Sequence, residues 1–276
     1  MKIIFLLISV IFLSTYARFA ASAGYITMKT ETTVAVNDSN LKVKVVVTNE
    51  GDESAFNVII NINENQRIQS SPIKQAIAVK ENLEYEANYS LIQTKHGRYP
   101  LIVNVDYTDA NQYPFTAITG THYSFGSDTV SRVFGSASDI SLTGHAILPI
   151  KLKNIDEVSK DIKISLIIPK ELSAQERGKK ITLQPRSELN TIFNVSNFSA
   201  LPGSRYQAFF IPEYEDDSKH YSNIVPCFIY VDVSKSFLKK YKWYIIAGSS
   251  VLFVALIVFQ FIPGKRKSSG NQNTHR

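Results

Sequence analysis

The sequence predicts an all-β protein made of two tandem antiparallel β-sandwiches, followed by one C-terminal transmembrane helix. Three observations predict it. Apolar and polar residues alternate at period two through most of residues 25–233, as in strands with one buried face. A pattern of strands and turns recurs about 107 residues later, so one structural unit is written twice. Between the chain's two apolar ends, no segment keeps a helical period.

The repeat is carried by named residues. In the first half, Gly97-Arg98-Tyr99 opens an apolar strand that reaches Asp106-Tyr107-Thr108-Asp109 and then Tyr113. In the second half, Gly203-Ser204-Arg205-Tyr206 leads to Tyr214-Glu215-Asp216 and then Tyr221. Leu41, Val43, Val45 and Val47 alternate with polar residues, break at 48–54 and resume as Phe56, Val58 and Ile60; Ile147, Ile150 and Leu152 break at 154–159 and resume as Ile162, Ile164 and Leu166. Each break is a polar turn between a strand and its returning partner.

Strands are expected near 25–36, 41–49, 56–62, 76–79, 83–91, 99–107 and 113–122. The second set is expected near 129–134, 139–153, 161–168, 180–183, 189–195, 205–214 and 221–233, with 171–180 a charged loop. About seven short strands in about 100 residues is the immunoglobulin-like plan. The sandwiches are placed at 24–126 and 127–234, joined through the Gly- and Ser-rich stretch 126–138. Tyr99 and Tyr107 fall on one strand face with Leu101, Val103 and Val105, so they are expected to pack in the core with their hydroxyls bonded at its edge.

The two ends set the expected topology. Lys2 and the apolar run Ile3 to Leu13 precede Ala21-Ser22-Ala23 and Gly24. A basic start, an apolar stretch and small residues at the cleavage point make 1–23 a signal peptide cut before Gly24. The competing reading, a retained membrane helix, needs a run nearer ~20 residues. Residues 243–262 carry no charge over about 30 Å of helix and are expected to span a bilayer. Trp243 and Tyr244 would sit at the headgroups, and Lys265, Arg266 and Lys267 would hold the tail 263–276 in the cytoplasm. The lipid bilayer is thus the first expected partner, with 24–242 outside the cytoplasm in a bacterial inner membrane, periplasm or cell surface.

The net charge of +6 reflects these ends. Lys2, Arg18 and eight basic residues around the span account for ten of the 30; the remaining 20 face 24 acidic residues, a net of −4. No nucleic-acid partner is expected. The single cysteine, Cys227, excludes an intramolecular disulfide; a buried strand thiol is the leading reading and an intermolecular bridge the other. Sequons at Asn37, Asn88, Asn194 and Asn197 permit glycosylation without arguing for it.

The break from Thr48 to Val58, Thr-Asn-x-Gly-x-x-x-Ala-x-Asn-Val, is followed from Gly97 to Asp109 by Gly-x-Tyr-x-Leu-x-Val-x-Val-x-Tyr-x-Asp. Together they resemble the CARDB-type and S-layer-related immunoglobulin-like modules of bacterial and archaeal envelopes. The resemblance covers most of 25–123 and, more weakly, 139–233, where Asp156 stands in place of the turn glycine. It implies adhesion, spacing or presentation and carries no shared catalytic residues.

No catalytic or cofactor-binding residue is named from the sequence. The five histidines, His96, His122, His145, His220 and His275, lack zinc-motif spacing. Glu213, Glu215, Asp216 and Asp217 form an oxygen-rich turn that could hold Ca²⁺, echoed by Asp106 and Asp109. The alternating ligands of a dedicated loop are missing, and a solvated hairpin turn is preferred. The expected function is a non-catalytic, membrane-tethered module that binds or scaffolds an envelope protein or glycan. The alternatives are an accessory subunit of a membrane export or translocation complex, similar in layout to translocon-associated subunits, and a carbohydrate-active domain.

Overall fold

The computed structural model describes residues 24–216, 218–233, 241 and 243–251. It divides into one compact unit up to Asp232 and a second from Val233. The first unit is all β. Its N-terminal half runs β1 (Met28–Asn37), β2 (Asn40–Asn49), β3 (Ala55–Glu64), β4 (Arg67–Ser70), β5 (Lys74–Ile77), β6 (Asn82–Ser90), β7 (His96–Thr108) and β8 (Pro114–Phe125). The C-terminal half runs β9 (Val133–Ala137), β10 (Ile140–Leu142), β11 (His145–Asn154), β12 (Lys160–Ile167), β13 (Leu172–Ala174) and β14 (Gly178–Leu183). It closes with β15 (Glu188–Asn197), β16 (Arg205–Glu215), β17 (Lys219–Ser222) and β18 (Val225–Val231).

Each half is a sandwich because alternate residues of two sheets meet in a core. In the first, the sheet β1-β2-β6 faces β3 and β7 with their neighbours β4, β5 and β8. Leu41, Val43, Val45 and Val47 of β2 meet Val58, Ile60 and Ile62 of β3 and Leu101, Val103 and Val105 of β7. In the second, β13-β15-β11-β9 faces β14-β12-β16 with β18 and β10. Leu148, Ile150 and Leu152 meet Ile162, Ile164, Leu166 and Phe210 around Phe193.

The repeat recurs in atomic detail at the end of the second strand of each unit. Asn49 is fully buried; its amide donates to the carbonyls of Glu53 (2.7 Å) and Ile77 (3.2 Å), and its Oδ1 accepts from the Gly51 amide at 3.0 Å. Asn154, 105 positions on, is equally buried. It donates to Val158 (2.8 Å) and Gln184 (3.1 Å) and accepts from the Asp156 amide at 2.9 Å. The departure at Asp156 has a local cause. A side chain at Gly51 would meet the Tyr25 carbonyl at 2.3 Å, because the N-terminal segment lies over that turn.

Two sequence expectations are corrected. The single strand expected over 139–153 is broken at Gly144, which sits at φ 80°. Its first part, β10, crosses to pair in parallel with β18, while β11 stays with β15. The charged loop expected over 171–180 holds β13 and the start of β14 instead. Lys179 and Lys180 belong to an edge strand, where lysine is tolerated and discourages further pairing.

In the second unit, Tyr241 and 243–251 are helical. Trp243 and Tyr244 are largely exposed, and the Ser249 and Ser250 hydroxyls donate back to the Ile246 carbonyl at 2.9 and 2.8 Å. Among the described residues, no helix is long and apolar enough to cross a membrane. The expected signal peptide with Ala21 and Ala23, the rest of the expected span 243–262, and Lys265, Arg266 and Lys267 lie outside the described residues. Gly24 is the first residue described.

Candidate functional site

The two sandwiches meet along a seam that starts from a glycine. Gly97 has φ 150°, and a Cβ there would lie 2.0 Å from the His220 carbonyl oxygen. Only the bare backbone lets β17 come alongside β7, where Lys219 pairs with His96 and His220 with Gly97 in parallel. β17 also pairs with β16, so one eleven-stranded sheet runs through both sandwiches.

That pairing lays the His220 ring flat on Tyr99, with centroids 4.1 Å apart and planes within 2°. Tyr99 stacks in turn on Tyr123 at 5.7 Å, and its hydroxyl donates to the Lys95 carbonyl at 2.8 Å. Behind Tyr123, Glu64 is fully buried. It accepts from the Tyr123 hydroxyl and the Gln93 amide, each at 2.5 Å, and pairs with Arg67. Burial, then that hydrogen bond, push the Tyr123 phenol well above its usual range.

Around His220, Nδ1 lies 3.3 Å from Glu215 and Nε2 3.5 Å from Glu213. Lys95 pairs with Glu215 at 2.8 Å and holds that carboxyl below the usual carboxylate range. The Ser222 hydroxyl ties the halves by donating to the Arg98 carbonyl at 2.8 Å, and the Thr129 hydroxyl holds the linker to the His220 carbonyl at 3.1 Å. An open groove of about 800 Å³ lies over this cluster, with Asn65, Tyr99, Lys163, Lys180, Glu213 and His220 among its lining residues. Lys163 and Lys180 stand directly opposite on β12 and β14, and neither makes an ion pair among the described residues. Of the groove's acids, Asp161 accepts from the Thr182 hydroxyl at 2.6 Å, Glu215 pairs with Lys95, and Glu213 lies 3.5 Å from the His220 Nε2.

The middle of the seam is apolar. Ile102 and Ile118, on the outer face of the first sandwich, pack against Phe209 and Ile211 of the second, with Ile167 and Ile224 around them. The far end is polar again. Lys170 pairs with Asp106, and the Tyr113 hydroxyl bonds the Ser199 carbonyl. Asp106 also accepts from Asn61 at 2.7 Å and Thr116 at 2.9 Å.

The residues of the candidate calcium turn are divided between a strand and the turn after it. Glu213 and Glu215 lie on β16 facing His220, and Asp216 caps the following turn. Its carboxylate accepts from the Lys219 amide and the Tyr221 hydroxyl, each at 2.8 Å. Asp217 lies outside the described residues. Asp109 caps the turn before β8 by accepting from the Asn111 and Tyr113 amides at 2.8 Å. Among the described residues, no three His, Cys, Asp or Glu side chains are placed to share a metal ion. Cys227 is buried within β18, with its thiol pushed up to about 12 by desolvation. Tyr99 and Tyr107 pack against the first core as the spacing predicts. The sequence reading missed His220, Lys95 and Glu64. The available signal was the unbroken apolar runs Leu101-Ile102-Val103 and Ala208 to Ile211, which mean both strand faces are covered.

No family model matches the chain, and no curated protein matches it. Among solved structures it is similar to a single-residue variant of Salmonella alpha-2-macroglobulin (TM-score 0.32, 9% identity, 75% of this chain and 16% of that one). It is also similar to a red sea bream transglutaminase (0.27, 10%, 80% and 33%) and to Escherichia coli alpha-2-macroglobulin in its native conformation (0.27, 9%, 73% and 17%). The chain spans between about a sixth and a third of the length of these proteins. Likenesses this distant carry no functional argument.

Proposed function

We propose that this chain is a non-catalytic, membrane-tethered protein whose two immunoglobulin-like sandwiches act outside the cytoplasm to bind or scaffold a cell-envelope partner. The observation that carries the reading is the seam. The sandwiches share a sheet and an apolar contact, so the groove they frame is pre-formed, and pre-organisation lowers the entropic cost of binding. Its side chains offer hydrogen bonds and charge. Two unpaired ammonium groups suit a partner that presents acidic groups. Export and tethering rest on the sequence of 1–23 and 243–262.

The test immobilises residues 24–232 and exposes them to envelope protein and glycan fractions. A specific partner is expected, released by salt. Replacing Lys163 and Lys180 together by Gln should weaken capture roughly 3- to 10-fold, the worth of two exposed ion pairs. Absence of any captured envelope partner would sink the reading. Capture indifferent to both lysines would move the site away from this groove.

A further inference from the structure

The seam contains a buried acid with no counter-ion. Glu171 precedes β13 and is 2% exposed, and neither carboxyl oxygen has a hydrogen-bond partner. Its main chain lies at the contact between the sandwiches. Its carbonyl accepts from the Phe198 and Ser199 amides at 3.0 and 2.9 Å, the Ser199 carbonyl accepts the Tyr113 hydroxyl, and the adjacent Lys170 pairs with Asp106. The groups that face the carboxyl come from every element packed on it. They are Asp106 and Tyr107 of β7, Thr116 of β8, and Tyr206 of β16, whose hydroxyl is itself buried and unpartnered. None supplies a positive charge to the carboxylate; the Glu171 and Thr116 amides and the Thr116 hydroxyl lower its pKa, but desolvation outweighs them. Lys170 is taken by Asp106, and the Thr116 hydroxyl donates to Asp106. An ionised carboxylate in this place is a buried charge without a counter-ion, which costs more than a neutral carboxylic acid.

We propose that Glu171 is a proton-operated latch on the seam: neutral, it lets the Tyr113–Ser199 end stay closed, and ionised, it loosens that end. Desolvation, with Asp106 adding to it, holds the carboxyl above the usual carboxylate range. The sign follows. The closed seam binds the proton more tightly than the open one, so closure is complete below the ordinary glutamate range. It is lost as pH rises through the raised value.

Amide hydrogen exchange on the full-length chain tests this directly, because the Phe198 and Ser199 amides are bonded to Glu171's own carbonyl. Between pH 5 and 8, exchange at these two amides, corrected for intrinsic base catalysis, should rise about ten-fold or more. Core amides of β11 and β15 should stay level. In Glu171→Gln the excess should vanish, with the amides protected across the range. Glu171→Met, which places an apolar side chain of similar length there, should behave alike and covers the case in which the Gln amide disturbs folding. An unchanged pH profile in both variants overturns the proposal, as does a wild-type profile with no excess. A rise spread equally over β11 and β15 also overturns it, since that reports global unfolding.

Discussion

At the scale of single residues, two asparagines hold matching strand ends in the two sandwiches. Asn49 and Asn154 each satisfy several backbone groups at a buried strand end. Alanine in either place leaves those groups without partners inside the protein. Each substitution is expected to cost about 2–4 kcal/mol, read as a lower urea midpoint, since every orphaned buried group costs about 1–3 kcal/mol. A loss under about 1 kcal/mol would show that water replaces the amide. Cys227 gives a second expectation. With its thiol buried and its pKa pushed up to about 12, it should stay inert to a disulfide reagent in the native protein and react once unfolded. Fast native reaction would restore the intermolecular-bridge reading.

At the scale of elements, the glycines on the seam and in the β10–β11 break make a controlled pair. Gly97 and Gly144 both have positive φ, but a Cβ at Gly144 meets nothing within 4 Å whereas one at Gly97 meets the His220 carbonyl at 2.0 Å. Gly144→Ala should therefore cost only the backbone strain, about 1 kcal/mol. Gly97→Ala should cost clearly more and lose the near-ultraviolet dichroism of the Tyr99–His220 stack; equal effects would mean that β17 shifts without loss. Strand positions were legible where alternation was clean, as in β2, β3 and β12, because a single buried face imposes period two. They were not legible at β14, whose lysines look like loop, nor at Gly144, where a strand changes sheets. The seam left a trace as apolar runs in β7 and β16, but His220 against Tyr99 brings together residues 121 positions apart. No local pattern encodes that meeting.

At the scale of the whole first unit, the seam decides whether two sandwiches unfold as one. Ile102, Ile118, Phe209 and Ile211 bury apolar surface that neither sandwich needs for its own core. Heating at neutral pH should give one cooperative transition, and Ile211→Ser, which puts a hydroxyl into the contact, should split it into two. The pH axis adds a second lever opposite in sign to Glu171. His122 lies on the same side of β8 as Ile118 and Gly120, and Gly120 approaches Ile224 of the second sandwich. Its Nε2 is buried without a partner, and desolvation, then Arg98, lower its pKa to about 4. The unfolded chain takes up that proton near pH 6.5, so stability is complete above that value and falls as pH drops through about 4. The loss approaches about 3 kcal/mol, from about 1.4 kcal/mol for each pKa unit. The two groups act with opposite sign: His122 withdraws stability as pH falls and Glu171 as pH rises. His122→Phe should remove the acid limb of the melting-temperature profile and leave the alkaline limb in place, while Glu171→Gln should do the reverse. A single substitution that flattens both limbs would show that one group, not two, governs the seam.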